Sequence, residues 1–104
     1  MIINKKKYNN LLFFYDNQIK VFENNLDTFH DTVIEHLYSV LHDIKCDIIL
    51  FGTGERQIKI PDKLQKYFIE KKYNFEIMQT YSAFNTHNIL LSEGRKLVSI
   101  IKLI

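Results

Sequence analysis

Tryptophan is absent from this 104-residue chain, and cysteine and proline occur once each, at Cys46 and Pro61. A single cysteine excludes an intramolecular disulfide and a cysteine-rich zinc site. With three glycines and one proline, no linker, repeat or low-complexity segment is visible. An excess of charge is lacking too: 14 Lys and Arg stand against 12 Asp and Glu, a formal net charge of +2. That balance argues against nucleic acid, and no basic stripe with interleaved aromatics is found. Lys5-Lys6-Lys7 is the only basic run and reads as a solvated tail within a polar segment, residues 1–10. No apolar stretch approaches the ~18 residues that a membrane span needs. The first residues hold no apolar run long enough for a signal peptide, and two arginines, Arg56 and Arg95, make no Arg-rich presequence. The expectation is a cytoplasmic chain without a transmembrane segment. Heavy use of Ile, Lys and Asn suits an AT-rich bacterial genome.

What is present is an ordinary globular balance, 46% hydrophobic and 25% charged residues. A chain of this length forms one domain with a single core. Leu11–Tyr15 and Ile19–Phe22 are rich in aromatic and β-branched residues around the turn chemistry of Asp16-Asn17-Gln18, which predicts a hairpin over 11–23. Apolar residues from Phe29 to Ile44 recur every three to four positions, which predicts an amphipathic helix over 29–45, capped by Asp27 or Thr28. His36 falls with the polar residues of that pattern. Ile48–Phe51 is an unbroken apolar run, as in a parallel strand covered on both faces. Gly52-Thr53-Gly54 ends it.

Gln57–Ile60 reads as a short extended piece, and Pro61 opens a second helix from its first turn. Leu64, Tyr67 and Phe68 form the inner face of that helix. Phe75–Met78 is the next strand. Thr80 or Ser82 starts a third helix, with Tyr81, Phe84, Asn88 and Leu91 on one stripe and Gly94 as its left-handed end. Leu97–Ile104 is the final strand. Alternation of short strands and helices predicts α/β layering, with a largely parallel sheet.

The segment 47–104 resembles the family of the mitochondrial NADH:ubiquinone oxidoreductase (complex I) assembly factor 3 and its small uncharacterised bacterial and archaeal relatives. The resemblance rests on an ordered set: Gly52-Thr53-Gly54, Pro61, Glu76, Met78, Thr80, Ala83, Thr86, Asn88, Leu91 and Glu93-Gly94-Arg95. Asn85 stands where the family usually has arginine, His87 where it has tyrosine, and Tyr73-Asn74 where it tends to have glycine. The resemblance implies a three-layer α/β domain with a central mixed sheet and no established enzymatic activity. It also implies a non-catalytic role, binding protein partners such as respiratory-complex assembly proteins, peripheral to the inner membrane.

Two functional readings follow. The first is a non-enzymatic protein-binding factor of that kind. The second is a small-molecule or anion-binding module at the Gly52-Thr53-Gly54 edge of the sheet. Open α/β sheets bind ligands beyond the carboxyl ends of their strands, and free amides at a helix start attract anions. Thr53, Arg56 and Thr80 are expected to meet there, with Thr86 and Asn88 either lining the cleft or satisfying backbone groups, and a Glu93–Arg95 ion pair in the same groove. Equally, the two glycines can serve a tight turn alone, and Glu93-Gly94-Arg95 can be a plain helix end. A third glycine and a Walker-type lysine are both missing. His30, His36 and His42 are six apart, which puts them on different helix faces and makes no metal site. Cys46 precedes a buried strand with no electropositive setting, so it is not read as a nucleophile. No cofactor is implied, and no base, nucleophile and orienting group fall together as an enzyme requires.

Overall fold

The computed structural model describes residues 2–3, 6–7, 10–16, 18–23, 26–56 and 58–103. β1 (Ile2–Ile3) and β2 (Lys6–Lys7) pair antiparallel in a ribbon of their own. The segment read as a solvated tail therefore carries paired backbone; Lys5 lies outside the described residues. β3 (Leu11–Tyr15) and β4 (Gln18–Phe22) form the expected hairpin, with Tyr15 opposite Gln18. Asp16 takes a left-handed φ of 47°, which a short polar side chain tolerates. Asn17 lies outside the described residues.

The first helix, α1 (Asp31–Asp43), is shorter than 29–45. Neither Asp27 nor Thr28 caps it, because both side chains are engaged elsewhere. The Thr28 hydroxyl donates to the Gly52 carbonyl at 3.0 Å, and the Asp27 carboxylate accepts from the Lys102 ammonium at 3.0 Å. His30 caps instead, its Nδ1 accepting from the Thr32 amide at 3.2 Å.

Then follow β5 (Ile48–Gly52), α2 (Asp62–Lys71), β6 (Phe75–Met78), α3 (Thr80–Ser92) and β7 (Leu97–Lys102). Pro61 is the N-cap of α2 rather than its first helical residue. Ile58–Ile60 forms neither helix nor paired strand; Gln57, where the expected extended piece begins, lies outside the described residues. β7 stops at Lys102, and Ile104 lies outside the described residues. α2 ends on Lys72, left-handed at φ 59° without being glycine.

The sheet order is β4-β3-β7-β5-β6. β7, β5 and β6 are mutually parallel, and the hairpin joins antiparallel through β3 on β7. Side chains alternate across the sheet. Phe13, Ile49, Phe51, Val98 and Ile100 point to one face, where α1 brings Val33, Leu37 and Val40 and α2 brings Leu64 and Phe68. Leu50, Leu97 and Ile101 point to the other, against Ala83 of α3. This is the three-layer domain with a mixed sheet that the resemblance implies.

The inner stripe of α3 differs from the expected one. Thr80, Ala83 and His87 are buried, whereas Tyr81 is 73% and Leu91 50% exposed and Asn88 lies outside. The reason is proximity. A Cβ built on Gly52 would lie 2.9 Å from Ala83 Cβ and 3.0 Å from Ile101 Cγ2. A helix that close to a strand needs small residues on its inner face. Gly52→Ala should therefore destabilise the domain by about 1–3 kcal/mol through overpacking, read from the shift in urea midpoint.

His36 is the other departure, turned inward among rings. Its centroid lies 4.6 Å from Phe13, 5.6 Å from Phe22 and 5.7 Å from Tyr15. Its buried Nε2 has no hydrogen-bond partner among the described residues. Desolvation, then the Lys20 charge, lower its pKa from the ordinary imidazole value. The folded chain thus binds this proton less readily than the unfolded chain. Stability is complete above the ordinary imidazole range, falls as the unfolded chain takes up the proton, and levels off below the lowered folded value. His36→Phe should flatten the loss of urea midpoint between about pH 7 and 5. An unchanged slope would count against this placement.

Candidate functional site

The expected site residues divide between the two ends of α3. Thirteen helical residues separate those ends by about 20 Å at 1.5 Å per residue. At the start lie Gly52, Thr53, Gly54, Arg56 and Thr80. At the finish lie Glu93 and Arg95. Thr86 is half-buried between them and Asn88 is exposed. A single groove holding all of them does not exist.

At the first end the polar groups satisfy one another. The Thr53 amide donates to the Met78 carbonyl at 3.0 Å, and its hydroxyl donates to the Arg56 carbonyl. The Gly54 amide donates to Thr80 Oγ1, and the Thr80 amide donates to the Gly54 carbonyl, both at 2.9 Å. The Thr80 hydroxyl donates in turn to the Lys102 carbonyl. Gln79 Nε2 donates to the Glu55 carbonyl at 2.8 Å. Gly54 has φ 93°, a conformation that favours glycine. The Thr53, Gly54 and Thr80 amides are thus all engaged by neighbouring groups of the chain. Thr53 and Thr80 are buried, whereas Glu55, Arg56 and Gln79 stand exposed.

At the other end the Glu93–Arg95 pair is replaced by another. Arg95 Nε lies 4.0 Å from Asp47 Oδ2, with both side chains about half exposed. Asp47 also accepts from the Lys96 amide at 3.1 Å and donates its own amide to the Lys96 carbonyl at 2.6 Å. It locks the turn after α3 to the entry of β5. Gly94, at φ 74°, ends the helix as expected.

Beside this turn lies a cavity of about 670 Å³. Phe14, Tyr15, Gln18 and Ile19 of the hairpin form one wall, and His87 and Leu91 of α3 form another. The loop Ile44–Cys46 and residues Arg95–Leu97 complete it. It lies at the amino ends of the parallel strands, opposite the edge favoured by the sequence. It exists because α3 covers β7 and β5 but leaves the same face of the hairpin bare, with Ile19 62% and Val21 47% exposed.

His87 is the buried polar residue of this cavity. It is only 7% exposed, and desolvation lowers its pKa, so it is neutral near pH 7. Its Nδ1 lies 2.7 Å from Ser99 Oγ, which is fully buried. Among the described residues that hydroxyl has no other partner. The arrangement that satisfies it has Ser99 donating to Nδ1, which leaves the ring proton on Nε2. One signal for this pair was available: Ser99 interrupts the apolar run Leu97–Ile101, and His87 lies four residues after Ala83. Among the described residues no three His, Cys, Asp or Glu side chains converge on a metal site.

Three stacked layers and this strand order are those of the Mth938-like fold. The chain belongs to the DUF498/DUF598 family of proteins of unknown function, whose family model matches residues 1–101. A 13 kDa major membrane protein of Francisella tularensis is 28% identical over 100 residues, covering 96% of this chain and 80% of that protein. An outer membrane protein of Bartonella henselae superposes with a TM-score of 0.77 at 20% identity, over 97% of this chain and 85% of that one. A Bordetella pertussis protein with a Mth938-like domain gives 0.68 at 18% identity, over 95% and 77%. Those two likenesses show the fold alone. None of the three is described as a complex I assembly factor. No helix among the described residues is long and apolar enough to cross a membrane.

Cys46 lines the cavity, and its thiol pKa is pushed up to about 11 by desolvation and then by the Asp47 charge. At about pH 8 only ~0.1% of it is thiolate. Alkylation by iodoacetamide should therefore be slow at neutral pH and climb toward pH 11. A rate that saturates below about pH 9, as for a free thiol, would contradict the burial.

Proposed function

We propose that this protein is a non-catalytic binding protein whose ligand occupies the cavity between the hairpin and α3. The cavity carries the reading. Its volume of about 670 Å³ lies within the ~300–1,000 Å³ usual for small-molecule sites. Its walls are mainly apolar, with one buried polar group, His87, on α3. That composition suits orientation of a ligand by a few polar contacts and affinity from burial. A general acid or base reading draws no support, since His87 has only a structural serine beside it.

A second reading, binding of a protein partner, is favoured by a separate observation. Tyr81, Ile89 and Leu91 expose 73%, 58% and 50% of their surface along α3, and Ile69 exposes 65% on α2. Such side chains outside a core can serve an interface. The resemblance to complex I assembly factors implies that partners of this kind belong to respiratory-complex assembly at the inner membrane.

Fragment screening by amide chemical shifts separates the two readings. Ligands should move Phe14, Ile19, His87 and Leu91 together, and Leu91→Trp, at an exposed position, should abolish the shifts while the fold persists. Shifts confined to Gly52–Arg56 would return the site to the opposite edge and sink the cavity reading. An empty screen, with co-purifying proteins lost in Ile89→Glu, would favour the protein-binding one.

A further inference from the structure

We propose that the ligand of this cavity is an amphipathic carboxylate: an anionic head just inside the rim, one oxygen toward the rim cations and the other accepting from the Nε2–H of His87, and an apolar chain against Phe14, Ile19 and Leu91. This rests on the cavity reading above and gives it a ligand class. Three cations, Lys45, Arg95 and Lys96, line the cavity with one carboxylate, Asp16, and a second, Asp47, stands beside Arg95. Lys45 and Lys96 have no ion-pair partner among the described residues. Arg95 is held only at 4.0 Å by Asp47, both half exposed, a pairing too loose and solvated to compete with an incoming anion.

The interior selects further. His87 is more than nine-tenths buried and lines the cavity. Its Nδ1 is engaged by Ser99, and among the described residues no protein group accepts from Nε2. Unlike His36 Nε2, this nitrogen is not buried without a partner; it is open to the cavity and free to donate to a ligand oxygen there. A neutral apolar ligand leaves both His87 and the rim cations unused. A cationic amphiphile is repelled by the rim.

The shared chemistry, an acyl chain with an anionic head, could be free acid or membrane lipid. Burial of His87 within the fold, beneath the rim, favours the free acid, since a surface-bound lipid head would not reach it. The test is calorimetric titration of the full chain with octanoate, decanoate and decanol, alongside sedimentation with phosphatidylglycerol vesicles.

Decanoate should bind roughly fifteenfold tighter than octanoate, from about fourfold per methylene. The double variant Arg95→Gln, Lys96→Gln should weaken decanoate about tenfold or more while moving decanol less than twofold, as expected when charge-assisted contacts alone are removed. Imidazole nitrogen shifts, which need no substitution, should show the proton on Nε2 of His87 and a change there on adding decanoate. Decanol binding as tightly as decanoate would overturn the anion claim and leave the cavity reading intact. Failure of every amphiphile to bind would remove both. Capture by vesicles without binding of free decanoate would also overturn the proposal, transferring the rim to a membrane surface.

Discussion

Everything on one side of this sheet depends on how closely α3 approaches β5. Gly52 has no side chain, and the methyl of Ala83 fills the space where one would project. The Thr80 hydroxyl ties the first turn of α3 to both Gly54 and Lys102. These contacts pin one end of the helix against the carboxyl ends of the parallel strands. The axis then carries His87 over Ser99 on β7 and Leu91 toward the hairpin. The opposite layer tolerates larger spacers, with Phe51 meeting Phe29 at 4.9 Å and Phe68 at 6.0 Å. One layer is set by absence of volume and the other by rings.

That asymmetry explains the cavity. The two helices on the aromatic face cover it with one wide surface. A single helix of 13 residues cannot cover five strands. It lies over the parallel half, and the outer half is left to Phe14, Ile19 and the hairpin backbone. The glycine-rich turn, by contrast, closes on itself, because every threonine near it has a carbonyl or amide within reach. Gly52 serves the packing of a helix, and Gly54 the turn that follows it.

Much of the architecture was legible in the sequence. The 3.6-residue period of Val33, Leu37, Val40 and Leu41, the solid apolar run Ile48–Phe51 and the hairpin composition each name their element. The resemblance supplied the layers and the mixed sheet. What was not legible follows from tertiary competition. Asp27 and Thr28 have good capping chemistry but are drawn to Lys102 and Gly52. His36 looks polar on a helical wheel yet packs edge-on to Phe13. In α3 the large apolar residues suggest the buried stripe, whereas close packing demands the small one. The candidate site was readable only in part: Arg95 lines the cavity, but its companions Phe14, Ile19, His87 and Lys45 come from segments far apart in sequence. No local pattern announces such a meeting.

Pairing of β3 with β7 also bears on how the chain reaches this state. Leu11 lies opposite Lys102, and the Leu103 amide donates to the Asn10 carbonyl at 2.8 Å. These partners are roughly ninety positions apart, so their closure carries the largest loop entropy in the domain and favours slow, late assembly. During synthesis the hairpin emerges first but has no strand to join until β7 leaves the ribosome. Until then Phe13 lacks its neighbour Ile100, and the bare strand edge is open to pairing with other chains. The period of greatest risk for this protein is therefore its own translation.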